Sequence, residues 1–137
     1  MISITSATNT YIVQPVLLEK HRQTLNALSL IAFMRRELAF FQKLLEKYSA
    51  VVIDAEQKQK ISHFQNLILY YNGELLNTFG TRLRLHEKKL AEMLETVDET
   101  NTEYFREHDG LMNEVHALNE QFLAYKEEFY SFIEKLM

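Results

Sequence analysis

Three histidines are the residues of this sequence whose type and placement could support chemistry. His21, His86 and His108 each fall on the apolar stripe of a different predicted helix. Neutral imidazoles inside a helical bundle can bind zinc, iron or nickel, or can exchange protons with neighbouring groups. These three histidines are therefore the candidate metal ligands. Carboxylates near them in the sequence, which could add oxygen ligands, belong to Glu19, Glu87 and Asp109.

The same histidines can equally be core residues that are hydrogen-bonded to a neighbour. Folding the chain at its predicted links puts His86 about 6 Å in axial height from His21 and about 7 Å from His108. His21 and His108 then lie about 13 Å apart, which is too far for one metal ion. Both interpretations stay open at this point. The chain has no glycine-rich phosphate loop and no His-Glu-x-x-His or Glu-x-x-His motif, so no catalytic residue is predicted.

Composition narrows the class of protein. The 137 residues are 47% hydrophobic and 25% charged, with three glycines, one proline and no cysteine. Few turn-forming residues indicate long helices, and the lack of cysteine excludes disulfides and thiolate chemistry. The net charge of −4 weighs against nucleic acid as the main partner. No signal peptide or membrane-spanning segment is expected, which predicts a soluble, cytoplasmic protein with no membrane partner.

The spacing of apolar residues predicts the first and third of three long helices. The first should cover residues 15–49 and the third residues 101–137, with residues 1–14 irregular. A capping box at Thr100 and Glu103 supports the start of the third helix. The third helix has an almost unbroken heptad of Tyr104, His108, Leu111, Val115, Leu118, Phe122, Tyr125, Phe129, Phe132 and Leu136. The first has a stripe of Leu17, His21, Leu25, Leu28, Ile31, Met34, Leu38, Phe41, Leu45 and Tyr48.

The second helix is predicted over residues 54–98. Asp54 should cap its start, with Gln57 three residues further on. Its seam is an exact seven-residue repeat, with partner positions at Asn72, Phe79, His86 and Met93. Gly80 raises the alternative of a break, which would give four shorter helices. The stripe keeps its phase across Gly80, so one continuous helix is favoured. The repeat consists of Leu69, Leu76, Leu83, Leu90 and Val97.

These elements predict an all-α fold with a single domain over residues 15–137. Short links between consecutive helices favour an up-down-up antiparallel bundle with coiled-coil-like packing. Unequal helix lengths in a three-helix unit make self-association plausible, because two units can complete each other's cores.

Surplus apolar residues on the helix surfaces predict an interface. Phe40, Tyr70 and Tyr130 each follow or precede a second ring, and one ring of each pair should point away from the core. Met112 and Ile133 widen the stripe of the third helix. Aromatic residues are enriched at protein interfaces, so these five positions are the candidate contact residues of a homodimer or a complex with another protein.

Four short stretches resemble uncharacterised small helical proteins from bacteria. They are ELAFFQKLLEK at 37–47, HFQN at 63–66, HEKKL at 86–90 and the run Glu107-His108-Asp109. The resemblance spans roughly residues 35–137. It implies an all-helical bundle and brings no activity, ligand or catalytic residue.

The expected function is therefore a non-enzymatic interaction or structural module that associates with itself. Two alternatives remain. One is a metal-binding bundle that uses the three core-facing histidines with zinc, iron or nickel. The other is a bundle that binds a small ligand or a lipid in a cavity lined by phenylalanine and methionine.

Overall fold

A computed structural model describes residues 14–96 and 102–137 of the chain. They form α1 (Gln14–Ser49), α2 (Ala55–Tyr70), a π-helical turn (Tyr71–Leu75), α3 (Leu76–Thr96) and α4 (Thr102–Leu136). No strand occurs among the described residues, and the predicted all-α helical bundle is confirmed. The expectations for residues 1–13, for Val97 in the second seam and for the capping box at Thr100 lie outside the described residues, and Gln14 already belongs to α1.

The bounds of the helices follow the sequence signals closely. The predicted first and third helices are α1 and α4. At the start of α2, the Asp54 carboxylate accepts a hydrogen bond from the backbone N–H of Gln57 at 3.1 Å. The predicted cap at Asp54 is therefore confirmed. Gly80 lies inside α3, so the helix does not break there.

The stripe of α4 is confirmed along almost its whole length. Every predicted stripe residue from Tyr104 to Phe132 is buried, and Leu136 is half-buried. The spacing of large residues is regular and no polar residue competes for the stripe except His108. A 35-residue helix with one such face buries it against its neighbours.

The predicted stripe of α1 is wrong between residues 21 and 28. Thr24 and Ala27 are buried there, whereas Leu25 is exposed. The buried Thr24 hydroxyl donates to the Lys20 carbonyl at 2.9 Å, which satisfies its polar group inside the helix. Small side chains therefore occupy the core face here, and the larger leucine points away from it.

The seam predicted for the second helix is wrong at its upstream end. Leu69 is 69% exposed, whereas Ile68 and Tyr71 are buried. The cause is the π-helical turn, in which the backbone N–H of Leu76 donates to the carbonyl of Tyr71, five residues earlier. One extra residue in a turn shifts the stripe by one position. The buried residues are therefore Ile61, Phe64, Ile68 and Tyr71 in the first half and Leu76, Phe79, Leu83, His86, Leu90 and Met93 in the second.

Two apolar clusters form the core. The larger one is rich in aromatic rings, and its closest ring pair is Phe41 and Phe129 with centroids 4.3 Å apart. The smaller one contains Leu17, Leu90, Met93 and Tyr104. Buried polar side chains separate the two clusters along the bundle. No helix formed by the described residues has an apolar stretch long enough to cross a membrane.

Candidate functional site

A buried pair of imidazoles lies at the centre of the candidate site. His86 of α3 and His108 of α4 are each 1% exposed. The two rings meet through Nε2 of His86 and Nδ1 of His108, which are 2.9 Å apart. The sequence placed these residues on facing stripes but several ångströms apart in height. The structure brings them into direct contact because α3 and α4 are offset from the predicted alignment.

The other ring nitrogens extend this pair into a chain of hydrogen bonds across three helices. His108 Nε2 lies 2.7 Å from the side-chain carbonyl oxygen of Gln23 in α1. His86 Nδ1 lies 2.7 Å from a carboxylate oxygen of Glu107 in α4. The second oxygen of Glu107 accepts from the Lys89 ammonium group at 2.7 Å. We call Gln23, His86, Glu107 and His108 the polar layer.

Hydrogen-bonding capacity fixes the protons of the polar layer. The Gln23 oxygen can only accept, so His108 Nε2 donates to it and Nδ1 of the neutral His108 ring accepts. His86 Nε2 therefore donates to His108. His86 Nδ1 then faces a Glu107 oxygen, and two acceptors at 2.7 Å require a proton between them. Each contact of the polar layer can therefore have one donor and one acceptor.

Glu107 is the ionised acid of the polar layer. Burial works to raise the pKa of Glu107, but the hydrogen bonds from Lys89 and His86 outweigh it and lower that pKa. Glu107 is therefore a carboxylate that accepts from Lys89 and faces Nδ1 of His86. The Tyr104 ring stacks on His86 with centroids 4.4 Å apart and planes 1° apart, which covers one face of the imidazole with an aromatic ring.

The surroundings of His108 favour its neutral form. Burial is the largest cause that lowers the pKa of His108 from 6.5 to about 4, and the electrostatic effect of His86 is the next. Lys20 also lowers this pKa, and Asp109 raises it. The pKa of the Tyr104 hydroxyl is raised by burial, and the carboxylates of Glu87 and Glu107 add to that.

The predicted metal ligands do not form one group. His21 is half-buried and its Nδ1 contacts the Glu87 carboxylate, away from the direct contact of His86 with His108. Among residues 14–96 and 102–137, no three His, Asp or Glu side chains are arranged to hold a metal ion. Binding a metal through His86 or His108 would also break their hydrogen bonds. The metal-site hypothesis stays a prediction.

A surface groove of about 520 Å³ lies between the start of α2 and the end of α4. Phe132 is its only aromatic lining residue, and the rest of the lining is charged or polar. The groove therefore differs from the cavity lined by phenylalanine and methionine that a lipid-binding bundle was expected to have.

A second candidate site lies on the surface between α1 and α4. Three contacts fix how these helices align: Gln23 with His108, Glu37 with Lys126, and the rings of Phe41 and Phe129. The residue numbers increase together along both helices in these contacts. The Lys126 ammonium group donates to the Glu37 carboxylate at 3.1 Å, and both side chains are largely shielded from solvent.

Exposed apolar side chains surround this ion pair. On α1, Phe33 and Phe40 are 55% and 54% exposed, and on α4, Leu123 and Tyr130 are each 43% exposed. Each pair is seven residues apart and so shares one side of its helix. In both helices the charged residue lies three and four positions from the two apolar ones, which makes them neighbours on the helix surface. We call these four residues, with the Glu37–Lys126 pair between them, the α1–α4 face.

Two of the five predicted contact residues, Phe40 and Tyr130, belong to the α1–α4 face. Met112 is half-buried against the core, and Ile133 is buried at 5% exposure, so Ile133 is not available on the surface of a single chain. Tyr70 is exposed on α2. The sequence reasoning missed Phe33 and Leu123, although each is seven residues from a residue that it did select.

Comparisons of the chain with protein-family models, with curated proteins and with solved structures found no match. The resemblance to small helical bacterial proteins therefore stays a prediction.

Proposed function

We propose that this protein is a non-enzymatic interaction module that associates with a second copy of itself through the α1–α4 face. The observation that carries the proposal is the cluster of four exposed apolar side chains around one shielded ion pair. Contiguous exposed apolar residues with a polar rim are typical of protein interfaces.

The size of the face supports this function. Helices of 36 and 35 residues are each about 50 Å long. Two such helices side by side offer enough surface for a standard interface of about 800 Å² per partner. Aromatic residues are enriched at protein interfaces, and three of the four apolar residues of the face are Phe or Tyr.

We further propose the up-down-up arrangement of the bundle and a location in the cytoplasm. The arrangement is supported by the order of contacts along the helices. Tyr71 contacts Phe122 and His86 contacts His108, so residue numbers along the second helical segment increase as those of α4 decrease. The absence of cysteine is compatible with a reducing compartment.

Light scattering behind gel filtration tests the function. We expect the wild-type chain to have the mass of a dimer at micromolar concentration. Replacing both Phe40→Gln and Tyr130→Gln should weaken association at least about tenfold, because truncating central interface aromatics typically costs 1–2 kcal/mol or more each. Leu85→Gln is the matched control, since Leu85 on α3 is as exposed as Phe33 and lies away from the face.

Two results would contradict the proposal. One is a wild-type chain that stays monomeric at concentrations up to about 1 mM. A dissociation constant above that value would be too weak for specific self-association. The other is a dimer that the Leu85 control weakens as much as the Phe40 and Tyr130 replacements do.

A further inference from the structure

Charged residues border the α1–α4 face with opposite signs on its two sides. On α1, Arg36 and Lys43 are exposed, and on α4, Glu120, Glu127 and Glu134 are exposed. Arg36 lies three residues after Phe33 and therefore on the opposite side of it from Glu37, which lies four residues after. On α4 the spacing is reversed: Lys126 lies three residues after Leu123 on its inner side, and Glu127 lies four residues after it on its outer side. The face thus has a basic rim on α1 and an acidic rim on α4.

The centre of the face adds no charge of its own. Glu37 and Lys126 neutralise each other through the 3.1 Å hydrogen bond. A second copy placed over the centre therefore meets no like charge there. The charges that can decide between orientations are those of the two rims.

Two-fold symmetry allows two simple ways to place one such face on another. With the axis across the helices, α1 packs on the partner's α1, and the basic rims meet each other. With the axis along the helices, α1 packs on the partner's α4, and each basic rim meets an acidic rim. Like charges in contact oppose association, whereas opposite charges favour it and direct the encounter.

The heights of the charges also agree with the second arrangement. Lys126 is 89 residues after its partner Glu37. By that offset Arg36 is level with about residue 125 of α4 and Lys43 with about residue 132. A rotation about an axis along the helices keeps these heights. Arg36 therefore lies between the partner's Glu120 and the partner's Glu127, and Lys43 lies between the partner's Glu127 and the partner's Glu134.

We propose that the protein forms a two-fold dimer in which α1 of each copy packs on α4 of the other, with the basic and acidic rims paired across both contacts. This inference rests on the proposed function, because it specifies the orientation of the same interface. Phe40 and the partner's Tyr130 then lie at nearly the same height, as do Phe33 and the partner's Leu123.

Charge reversal tests the orientation. One variant carries Arg36→Glu and Lys43→Glu, and a second carries Glu127→Lys and Glu134→Lys. We expect each variant alone to dissociate about tenfold or more readily than the wild type, because every cross-copy pair that includes a replaced residue becomes a like-charge pair. An equimolar mixture of the two should restore dimers, since every pair is then opposite in sign except the one between position 36 of the first variant and the partner's Glu120. A single chain with all four replacements should also restore them.

The readout is the dissociation constant from sedimentation equilibrium, with circular dichroism to show that each variant is folded. A wild-type dimer that neither variant weakens would overturn the orientation and leave the proposed function standing. Variants that fail to recover when mixed would overturn it as well. A monomeric wild type would overturn both. A fourfold variant that stays dissociated while the mixture recovers would also count against the orientation.

Discussion

Different kinds of interaction hold the helices together toward the two ends of the bundle. At one end, the rings of Phe41, Phe64, Tyr125 and Phe129 contact one another with centroids 4.3–6.2 Å apart. Toward the other end, between the two apolar clusters, the polar layer crosses three helices through hydrogen bonds of 2.7–2.9 Å. Ring packing tolerates many small adjustments, whereas a hydrogen-bonded chain requires each donor to meet an acceptor. We therefore expect the aromatic end to supply most of the stability and the polar layer to restrict how the helices can align.

The largest effect should come from the aromatic end. Phe129 is fully buried between Phe41 and Phe64. We expect Phe129→Ala to lower the free energy of unfolding by about 3–5 kcal/mol, because it removes buried surface and leaves a cavity. Urea unfolding followed by circular dichroism measures it. The exposed Leu85→Ala should change stability by less than about 0.5 kcal/mol. A similar small effect at Phe129 would show that this end is not the core.

The next effect should come from breaking the polar layer. His86→Leu removes the ring that links Glu107 to His108 and leaves both without that partner. We expect a loss of about 2–3 kcal/mol in the free energy of unfolding. The double variant with His108→Leu should lose less than the sum of the two single variants, since the second replacement removes a ring that has already lost its hydrogen bond with His86. Additive losses in the same unfolding assay would contradict the hydrogen-bonded pair.

The two ends should also differ in their response to acid. The pKa of His108 is about 4 in the folded chain and 6.5 as its ordinary value. Between these values the unfolded chain binds more protons, so stability rises with pH and is lost as pH falls from 6.5 toward 4. The full loss in the free energy of unfolding that His108 causes is at most about 3 kcal/mol.

Unfolding of the wild type and of His108→Gln at pH 7 and pH 4.5 measures this contribution. We expect the wild type to lose more stability than the variant over that range, because glutamine does not titrate. Equal losses would mean that His108 is not held neutral by its surroundings. Phe129→Ala should retain the wild-type pH dependence, because it leaves the polar layer intact.

The smallest effect concerns the two glycines inside helices near the polar layer. A Cβ atom added at Gly110 would have no atom within 4 Å, whereas one at Gly80 would meet the Arg84 guanidinium at 3.4 Å. We expect Gly110→Ala to raise the free energy of unfolding by about 0.5–1 kcal/mol, since alanine favours helix over the unfolded chain. Gly80→Ala should gain less. A larger gain at Gly80 would show that Arg84 moves freely.

Sequence reasoning succeeded where large residues alone define a stripe. In α4 almost every core position is large and apolar, so the period and length of the pattern were enough to identify the buried stripe. In α1 the reasoning preferred Leu25 to the smaller Thr24, although Leu17, Thr24, Ile31, Leu38 and Leu45 form a seven-residue repeat. Size is a poor guide where helices approach closely, because the core there has room only for small side chains.

The polar layer was only partly predictable. His86 and His108 were selected because they interrupt apolar stripes. Gln23 and Glu107 were missed, because they lie beside the stripes and nothing in their spacing marks them as partners. Which polar residues meet depends on the relative height of the helices. That height depends on the links and on the extra residue of the π-helical turn, which spacing within one helix does not reveal.

The π-helical turn determines which changes in chain length this helical segment tolerates. Each residue rotates a helix by about 100°, so the extra residue between Tyr71 and Leu76 offsets the buried stripe of one half from that of the other by about that angle. Ile68 and Leu83 point into the same core only because of this offset. If the turn became regular α-helix with all its residues kept, one half of the segment would rotate by about 100° and turn its core residues out to water. Removing one residue from the turn would instead preserve the core, because the step from Tyr71 to Leu76 would become the four-residue step of a regular stripe.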